Sequence, residues 1–163
     1  MKKVGNNIKY FFLILFITGC QRSTIFHSYQ TFTSEGWKKN TEIIFSPDTI
    51  EETSLCKVSI EFRNKINYPY KDLWLVISQN VENPNHLVSD TLHYNLTDSK
   101  GNYKGKGVGD LYELSFPYKT MLFKKGVKTT FKIKHIMKDN FIYGINDIGI
   151  RIEYDEMHLS SKK

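Results

Sequence analysis

Cys56-Lys57-Val58-Ser59-Ile60-Glu61-Phe62-Arg63 decides the fold class. Its apolar members, Cys56, Val58, Ile60 and Phe62, take every second position, and Lys57, Ser59, Glu61 and Arg63 take the places between. A period of two sends successive side chains to opposite faces, so the stretch reads as a half-buried strand. Val127 to Lys134 alternates in the same way with three lysines outward, and Asp147 to Tyr154 does so with Ile148, Ile150, Ile152 and Tyr154 inward. Asp72 to Ser78 (Leu73, Trp74, Leu75, Val76, Ile77) is apolar on both faces. That pattern predicts a central strand with one side under an opposing sheet and the other under a loop.

Thr41 to Phe45, Val88 to Leu96, Leu111 to Leu114 and Tyr118 to Phe123 are weaker strand candidates, and turn-forming clusters such as Ser46-Pro47-Asp48, Asn83-Pro84-Asn85 and Lys124-Lys125-Gly126 separate the segments. Pro and Gly with short polar residues favour turns for backbone reasons. No segment keeps an apolar stripe at the helical period. About eight strands at near-regular spacing predict an all-β, antiparallel two-sheet β-sandwich, with a jelly roll as one arrangement of it.

The N-terminus reads differently. Lys2, Lys3 and Lys9 precede an apolar run from Tyr10 to Ile17. That run is too short to cross a bilayer as a helix, which takes about 20 residues, so residues 1–19 are expected to be a cleaved signal peptide. The segment Ile17-Thr18-Gly19-Cys20 resembles the bacterial lipobox, in which the cysteine becomes the new N-terminus and is acylated. The resemblance implies two or three acyl chains, palmitate or similar, on Cys20, enough for stable membrane anchoring where one chain would hold only reversibly. Gln21 stands where an inner-membrane retention signal would place aspartate, and residues 21–25 carry no acidic cluster of the surface-export kind. The expected location is the outer membrane, facing the periplasm.

Residues 20–40 are polar with scattered aromatics and are expected to serve in part as a lipidated spacer, with the β-sandwich at 41–156 and a frayed tail at 157–163. Without the three leader lysines the mature part has 20 basic and 17 acidic residues, a net +3. The lysines are spread along strand-like segments, so nucleic-acid binding has no support. With Cys20 lipidated, Cys56 has no disulfide partner, and its place among inward-facing residues predicts a free, buried thiol.

Three ordered segments, Tyr68-Pro69-Tyr70-Lys71-Asp72-Leu73-Trp74-Leu75, Gly105-Lys106-Gly107-Val108-Gly109-Asp110-Leu111-Tyr112-Glu113 and Ile145-Asn146-Asp147-Ile148-Gly149-Ile150-Arg151-Ile152-Glu153, resemble the GldH gliding motility lipoproteins of Bacteroidetes-type bacteria. With the lipobox they cover the chain from end to end. The resemblance implies an outer-membrane lipoprotein needed for gliding and associated with the machinery that also serves type IX secretion. It implies no enzymatic activity, no cofactor and no catalytic residues, with other motility or secretion proteins as partners.

Two features are candidates for partner or ligand contact. Asp98 to Asp110 holds four of the chain's ten glycines and marks either a twisted connection or a contact loop at one end of the sandwich. Tyr68, Tyr70, Trp74, Tyr103, Tyr112 and Tyr118 form either core and corner residues or a platform on which a glycan would stack. The resulting contact set is Tyr70, Trp74, Tyr103, Lys104, Lys106, Asp110 and Tyr112. His27, His86, His93, His135 and His158 show no metal-ligand spacing, and His135 is expected to face inward with a hydrogen-bonded neighbour. A hydrolase built on Asp98, Asp110, Asp147 and Glu153 would need two facing carboxyl groups in a cleft. A structural adaptor and a glycan-binding module are the leading readings.

Overall fold

The computed structural model describes residues 24–155. The segments expected as signal peptide (1–19), lipidated Cys20 and frayed tail (157–163) lie outside the described residues. Eleven strands follow one another: β1 (Thr24–Thr31), β2 (Trp37–Lys38), β3 (Ile43–Phe45), β4 (Ser54–Lys65), β5 (Asp72–Gln79), β6 (Val88–Asn95), β7 (Lys106–Val108), β8 (Leu111–Phe123), β9 (Phe131–His135), β10 (Phe141–Ile142) and β11 (Ile145–Tyr154).

A five-stranded antiparallel sheet in the order β1-β11-β4-β8-β7 packs against a four-stranded one in the order β3-β9-β5-β6. The pairs β1 with β11, β3 with β9, β4 with β8 and β5 with β6 nest inside one another in sequence. A long hairpin with β5 and β6 at its tip, rolled upon itself, gives this order. That is the jelly-roll arrangement. The inner faces mesh as the alternation requires: Val58, Ile60 and Phe62 of β4 lie opposite Ile152, Ile150 and Ile148 of β11, and Leu73, Leu75 and Ile77 of β5 close the core from the other sheet. Cys56 is a free, buried thiol among them, with its pKa pushed up to about 11 by burial and the nearby Asp155.

The structure alters four expectations. Thr24–Thr31, read as spacer, is an edge strand registered on β11 from Phe26 to Thr31. Trp37, from the same stretch, is only 1% exposed, stacks on Phe32 and accepts through its carbonyl a hydrogen bond from buried His135 at 3.1 Å. His135 and the cross-strand neighbour Ile142 lie about a hundred residues away, beyond the reach of local periodicity.

Leu111–Leu114 and Tyr118–Phe123 are one strand. Pro117 interrupts the alternation, but the register slips by one residue between Val58 and Ser59 of β4, and such a bulge tolerates the missing N–H. β9 begins at Phe131, because the Thr130 amide donates to the Asn80 side chain at 2.7 Å and Gly126 turns the chain with φ +69°. β5 is central and fully buried on its inner face, whereas its other face is half open and Trp74 there stacks on His93 at 4.2 Å.

Trp37→Ala is expected to cost about 3–5 kcal/mol, the range for deleting a buried large aromatic side chain. Urea unfolding of the two proteins checks this, and a loss under 1 kcal/mol would return the segment to a spacer role.

Candidate functional site

The outward face of the five-stranded sheet carries a side-chain network that local patterning places in water. Tyr29 of β1, Gly149 of β11 and Glu61 of β4 stand in one cross-strand row. Glycine leaves a gap between its neighbours: a Cβ at position 149 would lie 2.5 Å from the Tyr29 ring. Tyr29 therefore leans across β11 and donates its hydroxyl proton to Glu61 Oε2 at 2.6 Å. His27 Nε2 meets the same oxygen at 2.6 Å, and Arg151 Nε donates to Oε1 at 2.6 Å. Glu61 is left 2% exposed although it sits on the polar side of its strand.

Arg63 extends the network. Its guanidinium lies 4.1 Å above the Tyr29 ring, donates to Glu113 at 2.9 Å and approaches Asp147 at 3.7 Å, and Asp147 accepts from the Thr31 hydroxyl at 2.6 Å. Strand β1 is thus held by carboxylates that do not belong to it, Glu61 and Asp147, and at its start Thr24 donates to Glu153 at 3.3 Å. Burial alone would raise the Glu61 pKa, but the hydrogen bonds from Arg151, Tyr29 and His27 outweigh it and hold the carboxyl below the usual glutamate value. Burial and the bond to Glu61 push the Tyr29 hydroxyl well above the ordinary tyrosine value.

Beside this network a groove of about 510 Å³ crosses the same face. Ser59, Glu61, Glu113, Ser115, Arg151 and Glu153 form its floor, and Lys104, Gly105 and Lys106 form one wall. A Cβ at Gly105 would come within 2.5 Å of the Glu113 carbonyl oxygen, so only glycine lets the wall lie this close to β8.

The glycine-rich segment is the β7–β8 hairpin and its approach. Asp98 accepts from the Lys100 and Asn102 amides at 2.8 and 2.9 Å, and Gly101 and Gly109 take positive φ at the two turns. Of the predicted contact set, Tyr103, Lys104, Lys106, Asp110 and Tyr112 gather around this hairpin, with the Tyr103 and Tyr112 rings 4.7 Å apart. Tyr103 donates to the Tyr68 carbonyl at 2.9 Å and Tyr68 stacks edge-on with Tyr70, whose hydroxyl donates to Asp139. Trp74 is not with them. It lies on the outer face of the other sheet, where Asp72 accepts from its indole at 3.2 Å and meets His93 at 2.9 Å.

Tyr118 belongs to a corner, donating to Asp90 at 2.5 Å. The tyrosines therefore tie loops and sheets together and do not form one platform. The described histidines stay apart as well, and no three His, Cys, Asp or Glu side chains converge on a metal-sized site among the described residues. His135 faces inward, with its pKa lowered by burial.

The family model for the GldH lipoprotein matches residues 24–152, from the start of β1 to two residues short of the end of β11. The chain belongs to the GldH lipoprotein family. It is 29% identical over 153 residues to a gliding motility lipoprotein GldH homolog of Christiangramia forsetii, covering 88% of this chain and 92% of that one. It is 26% identical over 147 residues to the gliding motility lipoprotein GldH of Flavobacterium johnsoniae, covering 85% and 90%. In this GldH sandwich the residues missed by sequence reasoning are His27, Tyr29, Glu61 and Arg151. The available signal was Gly149, a glycine in mid-strand, which often marks close approach of another group.

Glu61→Gln is expected to cost about 2–3 kcal/mol at pH 7, the range for hydrogen bonds to a charged group. The larger penalty of a fully buried broken pair does not apply, since Arg151 and His27 each keep about a third of their side-chain exposure and rehydrate. Because the Glu61 pKa is lower folded than unfolded, its contribution is complete above the ordinary value near 4.3 and is lost as pH falls through the folded value. Urea midpoints from pH 7 to pH 3 should fall more steeply for wild type than for Glu61→Gln; parallel curves would remove Glu61 from this role.

Proposed function

We propose that this GldH-family lipoprotein is a non-enzymatic adaptor of the gliding motility and associated type IX secretion machinery, anchored through Cys20 in the outer membrane and facing the periplasm. The carrying observation is that β1, which begins four residues after Cys20 in sequence, is clamped into the sheet by Glu61 and Asp147. A tether joined to a gripped strand transmits position and load from lipid to domain, as an adaptor requires. The β7–β8 hairpin supplies the contact surface: Lys104 and Lys106 wall the groove and neither side chain has an acceptor among the described residues. The groove is lined mainly by charged side chains and hydroxyls, with Phe116 as the single aromatic residue among its lining. That charge-rich lining supports a protein contact over a glycan platform, which draws on several aromatic faces.

Cys20→Ala should move the protein from the membrane fraction to the soluble one. Retention of Cys20→Ala in membranes washed with high salt would defeat the anchor. Reversing charge with Lys104→Glu and Lys106→Glu together should weaken co-purification of motility or secretion components after crosslinking in cells, with the thermal unfolding midpoint unchanged. Undiminished recovery would take the partner contact away from this hairpin.

A further inference from the structure

The two main sheets end in four edge strands, and unpaired backbone groups on an edge invite another strand unless something blocks it. Three are guarded. β3 and β7 are three residues long, the first soon followed by Pro47 and the second carrying Lys106. β6 has eight residues, but Asp90 lies opposite buried Ile77 on the core-facing side, a charge compensated by Lys119 at 2.7 Å. An inward-pointing charge of this kind deters strand addition.

β1 has no such guard. Thr24-Ile25-Phe26-His27-Ser28-Tyr29-Gln30-Thr31 contains no Asp, Glu, Lys, Arg or Pro, its one irregularity falls at its start between Thr24 and Phe26, and among the described residues it pairs only with β11. The grip of Glu61 on Tyr29 and His27 also keeps the strand straight on its sheet. On the core side Phe26, Ser28 and Gln30 sit opposite Ile152, Ile150 and Ile148, and Phe26 remains half-buried at the open seam between the sheets.

We propose that the free edge of β1 pairs antiparallel with β1 of a second copy of this chain on the same membrane, joining two five-stranded sheets into one. A register centred on Ser28 places Ser28 opposite Ser28 and Phe26 opposite Gln30 on the core side, with His27 opposite Tyr29 on the other. No like charges face each other, so the strand is compatible with itself. The proposal rests on the Cys20 anchor, and the anchor fits it. The four-residue step from Cys20 to Thr24 spans at most about 14 Å. In the paired strands the two Thr24 residues stand about 26 Å apart along the strand direction, at equal height when the twofold axis is normal to the membrane. Both tethers then reach one surface.

An eight-residue edge buries less than the about 800 Å² per partner typical of stable complexes, so the pairing depends on tethering, which raises the effective concentration of oriented copies. The released chain is accordingly monomeric and the anchored one dimeric.

The test uses full-length lipidated protein in phosphatidylethanolamine–phosphatidylglycerol vesicles, first floated on a density gradient and then oxidised with copper phenanthroline. Single cysteines are placed at Phe26, Ser28 and Gln30, with exposed Ile44→Cys on β3 as the control on another edge and thermal unfolding to confirm folding. Disulfide dimers from Ser28→Cys, absent from Ile44→Cys and lost when Gln30→Lys is added, are expected. Floated protein that stays monomeric at all three β1 positions, or that crosslinks equally at Ile44, overturns the dimer alone. Protein that fails to float overturns the anchor together with the dimer it supports.

Discussion

A carboxylate on the polar face of β4, covered by groups from two other strands, is the constraint on which the arrangement of this domain turns. Glu61 is removed from water by Tyr29, His27 and Arg151, and a buried charge is tolerated only when its lone pairs are met by donors. Those donors come from β1 and β11. Each strand is therefore specified by hydrogen bonds to a third as well as by its own ladder. Gly149 makes this possible, since any side chain there would stand between Tyr29 and Glu61.

The clamp answers a difficulty of the jelly roll. Rolling a hairpin leaves the first strand at an edge, paired on one side only, and its inner face here is weakly apolar, with Ser28 and Gln30 where β4 has Ile60 and Phe62. Hydrophobic burial holds such a strand less firmly than a central one. Side-chain hydrogen bonds on the outer face make up the difference through Thr31 to Asp147 and through Tyr29 and His27 to Glu61. The strand that follows Cys20 in sequence is thus fixed by polar contacts, and its opposite backbone edge is left unpaired by any described strand.

The core was legible in advance because its cause is local. Cys56 to Phe62 and Ile148 to Tyr154 alternate so regularly that only a half-buried strand accommodates them, and Cys56, Val58, Ile60 and Phe62 all face inward. Pro117 split β8 in the sequence reading, since the bulge that admits it depends on the register of β4. Trp37 and β1 read as spacer because His135, which bonds the Trp37 carbonyl, and β11, which pairs with β1, lie about a hundred residues further along the chain. Of the contact residues, the hairpin group was recoverable from contiguous sequence, whereas Trp74 shares only its residue type with the other aromatics and sits on the other sheet.

By itself the sequence determined the all-β class and the inward face of each strong strand, because these depend on residue type and on spacing within about ten positions, and it carried the family in three short segments whose order along the chain is itself part of the sequence. The tertiary structure decided which strands are neighbours, and therefore that Glu61 is buried on a polar face, that β1 is gripped and yet open along one edge, and that Lys104 and Lys106 wall a groove floored by β4, β8 and β11. Periodicity fixes which way a side chain points from its own strand. What it meets there depends on contacts whose loop-closure entropy only the whole folded core offsets.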